Sequence, residues 1–273
     1  MDETLKRTTF IIGHNGDWKA SVDAILDAAR LDTGDKKRVL LKPNLVEAMA
    51  PPVTTPVELV EALVDGLRER LPGVEIIIGE GCGAASYDTP HAFDELGYTK
   101  MAKRRNVGLV DLNKEPLRKL SNPELTRWPE FYLPDILFDS FIISVPVLKA
   151  HSLAGVTLTM KNMMGAVPPL HYRAGGHWKK SAFHSMMQES VLDLNMHRTP
   201  DFTVIDATIG MSEAHLWGPH CDPKPGIIIA GYDPVMTDAY GAKVLKRRWQ
   251  DIGHIRDADG RLGHVKPLSV KEL

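Results

Sequence analysis

The sequence predicts an α/β protein: a mainly parallel layered sheet with helices on both faces and an irregular insertion near residues 113–137. Apolar runs of strand length alternate with amphipathic runs of helix length. The strand runs are nearly continuous in apolar residues, as strands buried between two helical layers must be. Several of them also end, on their C-terminal side, in a charged residue or a small-residue turn.

TTFIIG (8–13) reads as the first strand, and residues 18–31 have helical spacing in Val22, Ile25, Leu26 and Ala29. RVLLKPNLV (38–46) is the second strand. Pro56 then starts a helix through Leu59, Val60, Leu63, Val64, Leu67 and Leu71, with Thr54 or Thr55 as its cap. VEIIIGEG (74–81) is a buried strand, residues 90–105 are helical, and VGLVDL (107–112) is extended. Prolines and turn-forming Asn residues break the rhythm over 113–137, where short hairpin-like pieces lead into ILFDSFIISVPVL. Helical spacing returns at 181–195. DFTVIDATIG (201–210) and GIIIAG (226–231) are strands, and Asp233-Pro234 opens a helix to about residue 245. The tail from Gln250 is polar and weakly patterned. With no internal repeat, residues 1–273 are expected to form a single α/β domain.

Thirty-three basic residues against thirty-five acidic ones, in 273, leave a net charge of −2 without a long block of either sign. Neither nucleic acid nor an acidic membrane is therefore expected as a partner. No apolar run has the length of a membrane span, and the first residues carry no secretion-signal pattern. Two cysteines, Cys82 and Cys221, neither in a CxxC, fit a cytoplasmic protein and exclude a four-cysteine cluster held by one chain.

Ligands of open α/β sheets bind outside the carboxyl ends of the strands. Parallel strands would bring Lys42, Asn44, Glu80, Lys149, His151 and Asp206 to one edge. In VTLTMK (156–161), strand alternation would put Thr157, Thr159 and Lys161 on one face beside Lys149 and His151. Helical spacing over 156–164 is the other reading, and it would separate Thr157 from Thr159. Two neighbouring lysines depress each other's pKa, which favours a neutral amine; an anion between them would keep both charged. EGCGAAS (80–86) could offer backbone N–H groups to an oxyanion, though it has neither P-loop nor dinucleotide spacing. Segment 168–184 reads as a mobile loop able to close over the crevice, with Arg173 as a carboxylate clamp. Glu213, His215, His220 and Cys221 are loose candidates for a metal ion.

Four separated motifs, KPNLV, GEG, SVPVLKAH…GVTLTMKNMMG and VIDATIGM…AGYDPVMTDAYGA, resemble in order the family catalogued as domain of unknown function three-six-two. The resemblance runs from about Leu40 to Ala242. Many members append a ferredoxin-like segment with iron–sulfur clusters. Since this chain lacks those cysteines, the resemblance implies a cluster only if a partner supplies it or a homodimer shares it. The arrangement is also distantly similar to the N-terminal part of nickel-dependent lactate racemases. That likeness implies cofactor attachment and proton transfer at Lys149, His151 and Lys161.

The expectation is therefore an enzyme, isomerase-like or oxidoreductase, acting on a small carboxylate-bearing anion. Lys42, Lys149 and Lys161 would neutralise the anion, Asn44, Thr159 and Asn162 would orient it, and His151 or Glu80 would move a proton. The rival expectations are an iron–sulfur-associated electron-transfer protein and a non-catalytic metabolite- or metal-binding protein.

Overall fold

The computed structural model describes residues 3–266 and 269–273. The strands are β1 (Thr9–Gly13), β2 (Arg38–Pro43), β3 (Glu75–Glu80), β4 (Gly108–Asp111), β5 (Leu117–Ser121), β6 (Glu130–Pro134), β7 (Phe141–Val145), β8 (Val147–His151), β9 (Gly155–Thr157), β10 (Phe202–Met211), β11 (Ile227–Gly231) and β12 (Val270–Glu272). The main sheet has the order β12-β1-β11-β10-β7-β2-β3-β4, with β8 and then β9 branching from β10. Its centre, from β10 through β4, is parallel, while β11 runs antiparallel to both β1 and β10.

Period-two alternation explains why both faces are covered. Val39, Leu41, Ile143 and Val204 point into one core, which includes Val22, Ile25 and Leu26 of helix Trp18–Ala29 and Leu59, Leu63 and Leu67 of helix Val57–Arg70. Leu40, Ile142, Ile205 and Ile229 point into the other, with Val191 and Leu194 of helix Met187–His197 and Val235 and Ala239 of helix Pro234–Val244. Parallel strands sandwiched in this way must be apolar on both sides, as they are.

One bend matters for function. After β7 the chain passes Pro146, whose carbonyl accepts from Asp206 N at 2.9 Å, and continues as β8 along the far half of β10. FIISVPVLKAH thus carries Lys149 and His151 beyond the ends of β2 and β3.

Local expectations differ from the structure at four places. Residues 90–105 form two helices, Thr89–Glu95 and Tyr98–Arg105, because Gly97 takes a left-handed φ of 81° between them. The 113–137 insertion is hairpin-like as expected, a separate antiparallel pair of β5 and β6. Neither Thr54 nor Thr55 caps the helix at Val57: the cap position is Pro56, and the Thr55 hydroxyl instead donates to Val145 O and accepts from Asn44 N. The 181–195 helix begins as a tight 3₁₀ turn and becomes α-helical at Met187. The polar tail contains the short helix Gly253–Ala258, with His254 and Ile255 fully buried.

VTLTMK follows its helical alternative. The strand stops at Thr157 and a short helix spans Thr159–Asn162. The reason is not local. Asp238, buried in helix Pro234–Val244, accepts from Thr159 N at 2.8 Å and from Met160 N at 3.0 Å, which satisfies the first free N–H groups of that helix. The Thr159 hydroxyl turns to Thr203 at 2.8 Å. No helix among the described residues is long and apolar enough to cross a membrane.

Asp238→Ala leaves two buried N–H groups without acceptors and is expected to lower stability by about 2–4 kcal/mol in urea unfolding. A change as small as that of the exposed Asp251→Ala would show that Asp238 does not hold this turn.

Candidate functional site

The carboxyl ends of β2, β3 and β8 meet the short helix Thr159–Asn162 around a cavity of about 300 Å³. Beneath it lies a continuous buried polar network. Lys42 Nζ sits 3.0 Å from both Glu80 oxygens, with the lysine fully buried and the glutamate nearly so. Glu80 Oε1 also accepts from Gly81 N at 2.7 Å, and Oε2 from Leu45 N at 3.2 Å. Asn162 Oδ1 accepts from Asn44 Nδ2 at 3.0 Å, while its Nδ2 donates to Lys42 O and the Ser144 hydroxyl. Asn44 Oδ1 in turn accepts from Lys149 Nζ at 2.7 Å, and Lys149 also donates to Val53 O at 2.6 Å. Gly165 closes over the ion pair; a Cβ there would collide with Glu80 Oε1 and Lys42 Nζ.

The network separates the residues expected at the site into two layers. Lys42, Asn44, Glu80 and Lys149 are gathered as the alignment of strand ends requires, and Asn162 joins them from the short helix. Lys42 and Lys149 spend their donors on protein acceptors, and both Glu80 oxygens are doubly bonded. Facing the cavity above them are Lys161, Lys180, His151, His184 and His215, with Val46, Leu153, Met164 and Trp178 as apolar wall. The Lys161 amine has no hydrogen-bond or ion-pair partner among the described residues, whereas Lys180 Nζ donates to Gly81 O and Gly165 O at 2.6 Å each. The His151 and His215 rings stack at 4.1 Å.

Burial sets the electrostatics. It pushes Lys161 down to about 8 and Lys180 down to about 7, from an ordinary 10.5. Lys149 is driven well below its usual range by burial and then by Lys161. Burial followed by the Lys161 charge also depresses His151, His184 and His215, the last to about 3. The site is therefore rich in nitrogen, and the one carboxylate in its wall is already paired.

Three expected residues lie elsewhere. Thr159 faces Thr203 behind the helix. The Asp206 carboxylate accepts from the N–H and hydroxyl of its neighbour Thr208 and is not part of the cavity wall. Arg173 borders a separate surface hollow with Glu47, His177 and Trp217. The 168–184 segment is a wall of the site: Lys179 N donates to Gly83 O and Ala85 N to His177 O, joining it to the EGCGAAS loop. It supplies Trp178, Lys180 and His184. Lys180 was not singled out from sequence, because its partners Gly81 and Gly165 lie far along the chain and no local spacing marks it. Of the metal candidates, His215 stacks on His151, His220 bridges Met211, and Cys221 packs against Gly210. Among the described residues no group of three or more His, Cys, Asp or Glu is arranged to hold a metal ion. Cys82 is closed off: burial raises its thiol to about 11, and it donates to Val46 O.

Because the folded pKa values of Lys180 and Lys161 lie below 10.5, the unfolded chain binds protons more tightly between those limits. The ligand-free protein should therefore gain stability as pH rises from about 7 to about 10.5, and Lys161→Met should raise the urea midpoint at neutral pH. Unfolding curves recorded across that range decide it; a falling midpoint, or a destabilised Lys161→Met, would contradict the assignment of an unpaired cation.

No curated protein matches the sequence. Among solved structures, the chain is similar to the lactate racemase apoprotein from Thermoanaerobacterium thermosaccharolyticum, with a TM-score of 0.51 and 10% sequence identity. The alignment covers 92% of this chain but 59% of that one, so the chain spans less than two thirds of the racemase, and at that identity the shared property is the fold. The family model described as Domain of unknown function (DUF362) matches residues 39–243, a range containing every residue of the cavity wall. The chain belongs to that family.

Proposed function

We propose that the protein is an enzyme that binds a small carboxylate-bearing anion in this cavity and moves a proton on it. One observation carries the reading: two lysines and three histidines face a space of about 300 Å³ whose only carboxylate among the described residues, Glu80, is neutralised by Lys42. A buried cation without a counter-ion is unfavourable unless a ligand provides the opposite charge. The space suits a molecule of a few heavy atoms, with Met164, Leu153 and Trp178 left for a short apolar portion.

The roles differ from those expected of the strand-end residues. Lys42, Asn44, Lys149 and Asn162 are positioning residues, because their polar atoms are bonded to one another. Lys180, tethered by two carbonyls, holds the carboxylate. Lys161, untethered and with a pKa near 8, takes or returns the proton, since a general base works best when its pKa lies close to the working pH. The two lysines make opposite demands on pH. Anion binding needs an ammonium and weakens as pH rises past about 7 to 8, whereas proton abstraction needs the free amine of Lys161.

Proton transfer can be detected without knowing the full reaction. A panel of small carboxylates incubated in D2O is expected to exchange a C–H proton next to the carboxylate or carbonyl with wild-type protein, as read by NMR. Lys161→Met should reduce that exchange by about 100-fold or more, and Lys180→Met should chiefly raise the KM. Equal exchange by wild type and Lys161→Met would remove Lys161 from the chemistry. A second outcome concerns Gly165→Ala: its methyl group strikes the Lys42–Glu80 pair, so activity is expected to fall together with stability, by about 2 kcal/mol or more in urea unfolding.

A further inference from the structure

We infer that His151 is a fixed hydrogen-bond donor to the ligand, its Nε2–H pointing at an acceptor oxygen beside the carboxylate, and that it does not shuttle protons. The inference starts from the turn that follows it. His151 ends β8, and the chain reverses through 152–154 into β9, where Gly155 takes a φ of 78° to pair with His151. The turn aims two backbone N–H groups at the ring: Leu153 N lies 3.1 Å and Ala154 N 3.2 Å from Nδ1. A backbone N–H can only donate, so Nδ1 must be the bare acceptor nitrogen. In the neutral ring the proton is then on Nε2. A second proton on Nδ1 would face two donors, so the imidazolium is excluded by geometry.

The turn itself is held in place. Leu153 O accepts from Gln188 Nε2 at 3.0 Å, and Gln188 Oε1 accepts from both His254 N and His254 Nδ1. Nε2 of His151 has no protein partner among the described residues, and the residue lines the cavity. The charged and titratable groups that act on it are Lys161, His215, Lys149 and His184; a cation among them opposes its protonation as the turn does.

This narrows the ligand, and in doing so it rests on the carboxylate reading above. Lys161 and Lys180 meet the anion as N–H donors, and Nε2–H adds a third donor in the same wall. Such a wall matches a ligand that offers acceptors at both positions: a carboxylate with an adjacent carbonyl, whose oxygen gains negative charge when a neighbouring C–H proton leaves. A neutral imidazole donating there stabilises the developing enolate oxygen without giving up its proton.

Long-range 1H–15N NMR of the full chain tests the tautomer, and binding of pyruvate against propionate, which lacks the carbonyl, tests the contact. The expected spectrum has Nε2 protonated and Nδ1 bare, unchanged over about pH 5–8, where an ordinary imidazole titrates. Pyruvate should bind roughly tenfold more tightly than propionate, and His151→Ala should abolish that preference while keeping propionate affinity. A proton on Nδ1, or a preference that survives His151→Ala, overturns the inference. If wild type binds neither acid, the carboxylate reading fails instead, and the spectrum still decides whether the ring is a fixed donor.

Discussion

The site depends on the removal of Lys42, Lys149 and Lys180 from water at one end of one sheet, with Lys161 partly buried beside them and one carboxylate among the described wall residues to meet them. Glu80 lies between β3 and the small-residue loop and takes Lys42. Among the described residues, Lys149 and Lys180 find only carbonyl and amide oxygens, and Lys161 finds no partner. Taking an ammonium out of water is among the most unfavourable steps in folding. Two apolar cores of ordinary composition support that arrangement from both faces.

The layering follows from this constraint. The polar atoms nearest the core are bonded to one another: Asn44 bridges Asn162 and Lys149, Asn162 bridges Asn44, Lys42 and Ser144, and together they link the Lys42–Glu80 pair to Lys149. A network closed in this way is rigid, and it fixes the directions of β2, β8 and the Thr159–Asn162 turn relative to one another. The layer above is not closed. Burial pulls the pKa values of its amines and imidazoles down, the amines to about 8 and 7, and its free valences face the cavity. A rigid lower layer with an unsatisfied upper one is how a site is kept preorganised for charge it does not itself carry.

Much of this was legible in the sequence, for identifiable reasons. Strands apolar on both faces announce a parallel sheet, and the strand-end rule gathers Lys42, Asn44, Glu80, Lys149 and His151 without any knowledge of loops. What the sequence concealed depends on contacts between distant residues. Strand alternation would put Thr159 and Lys161 on one face and helical spacing is the other reading; Asp238, far along the chain, decides for the helix by capping it. Nothing local marks Lys180, and only the approach of Gly81 and Gly165 makes it part of the wall. Asp206 and Arg173 have the chemistry expected of a site, yet a side-chain bond to Thr208 and a separate hollow take them away from it.

The central claim is that Lys161 and Lys180 are kept short of counter-charge by the fold and acquire it from a carboxylate. Titrating their side-chain 13Cε and 15Nζ signals by NMR, without and then with saturating propionate, measures this directly. Values near 8 for Lys161 and 7 for Lys180 in the free protein, with Lys180 moving up towards the ordinary 10.5 on binding and Lys161 rising less, are the predicted result. Ordinary values in the free protein, indifferent to the added acid, would contradict it.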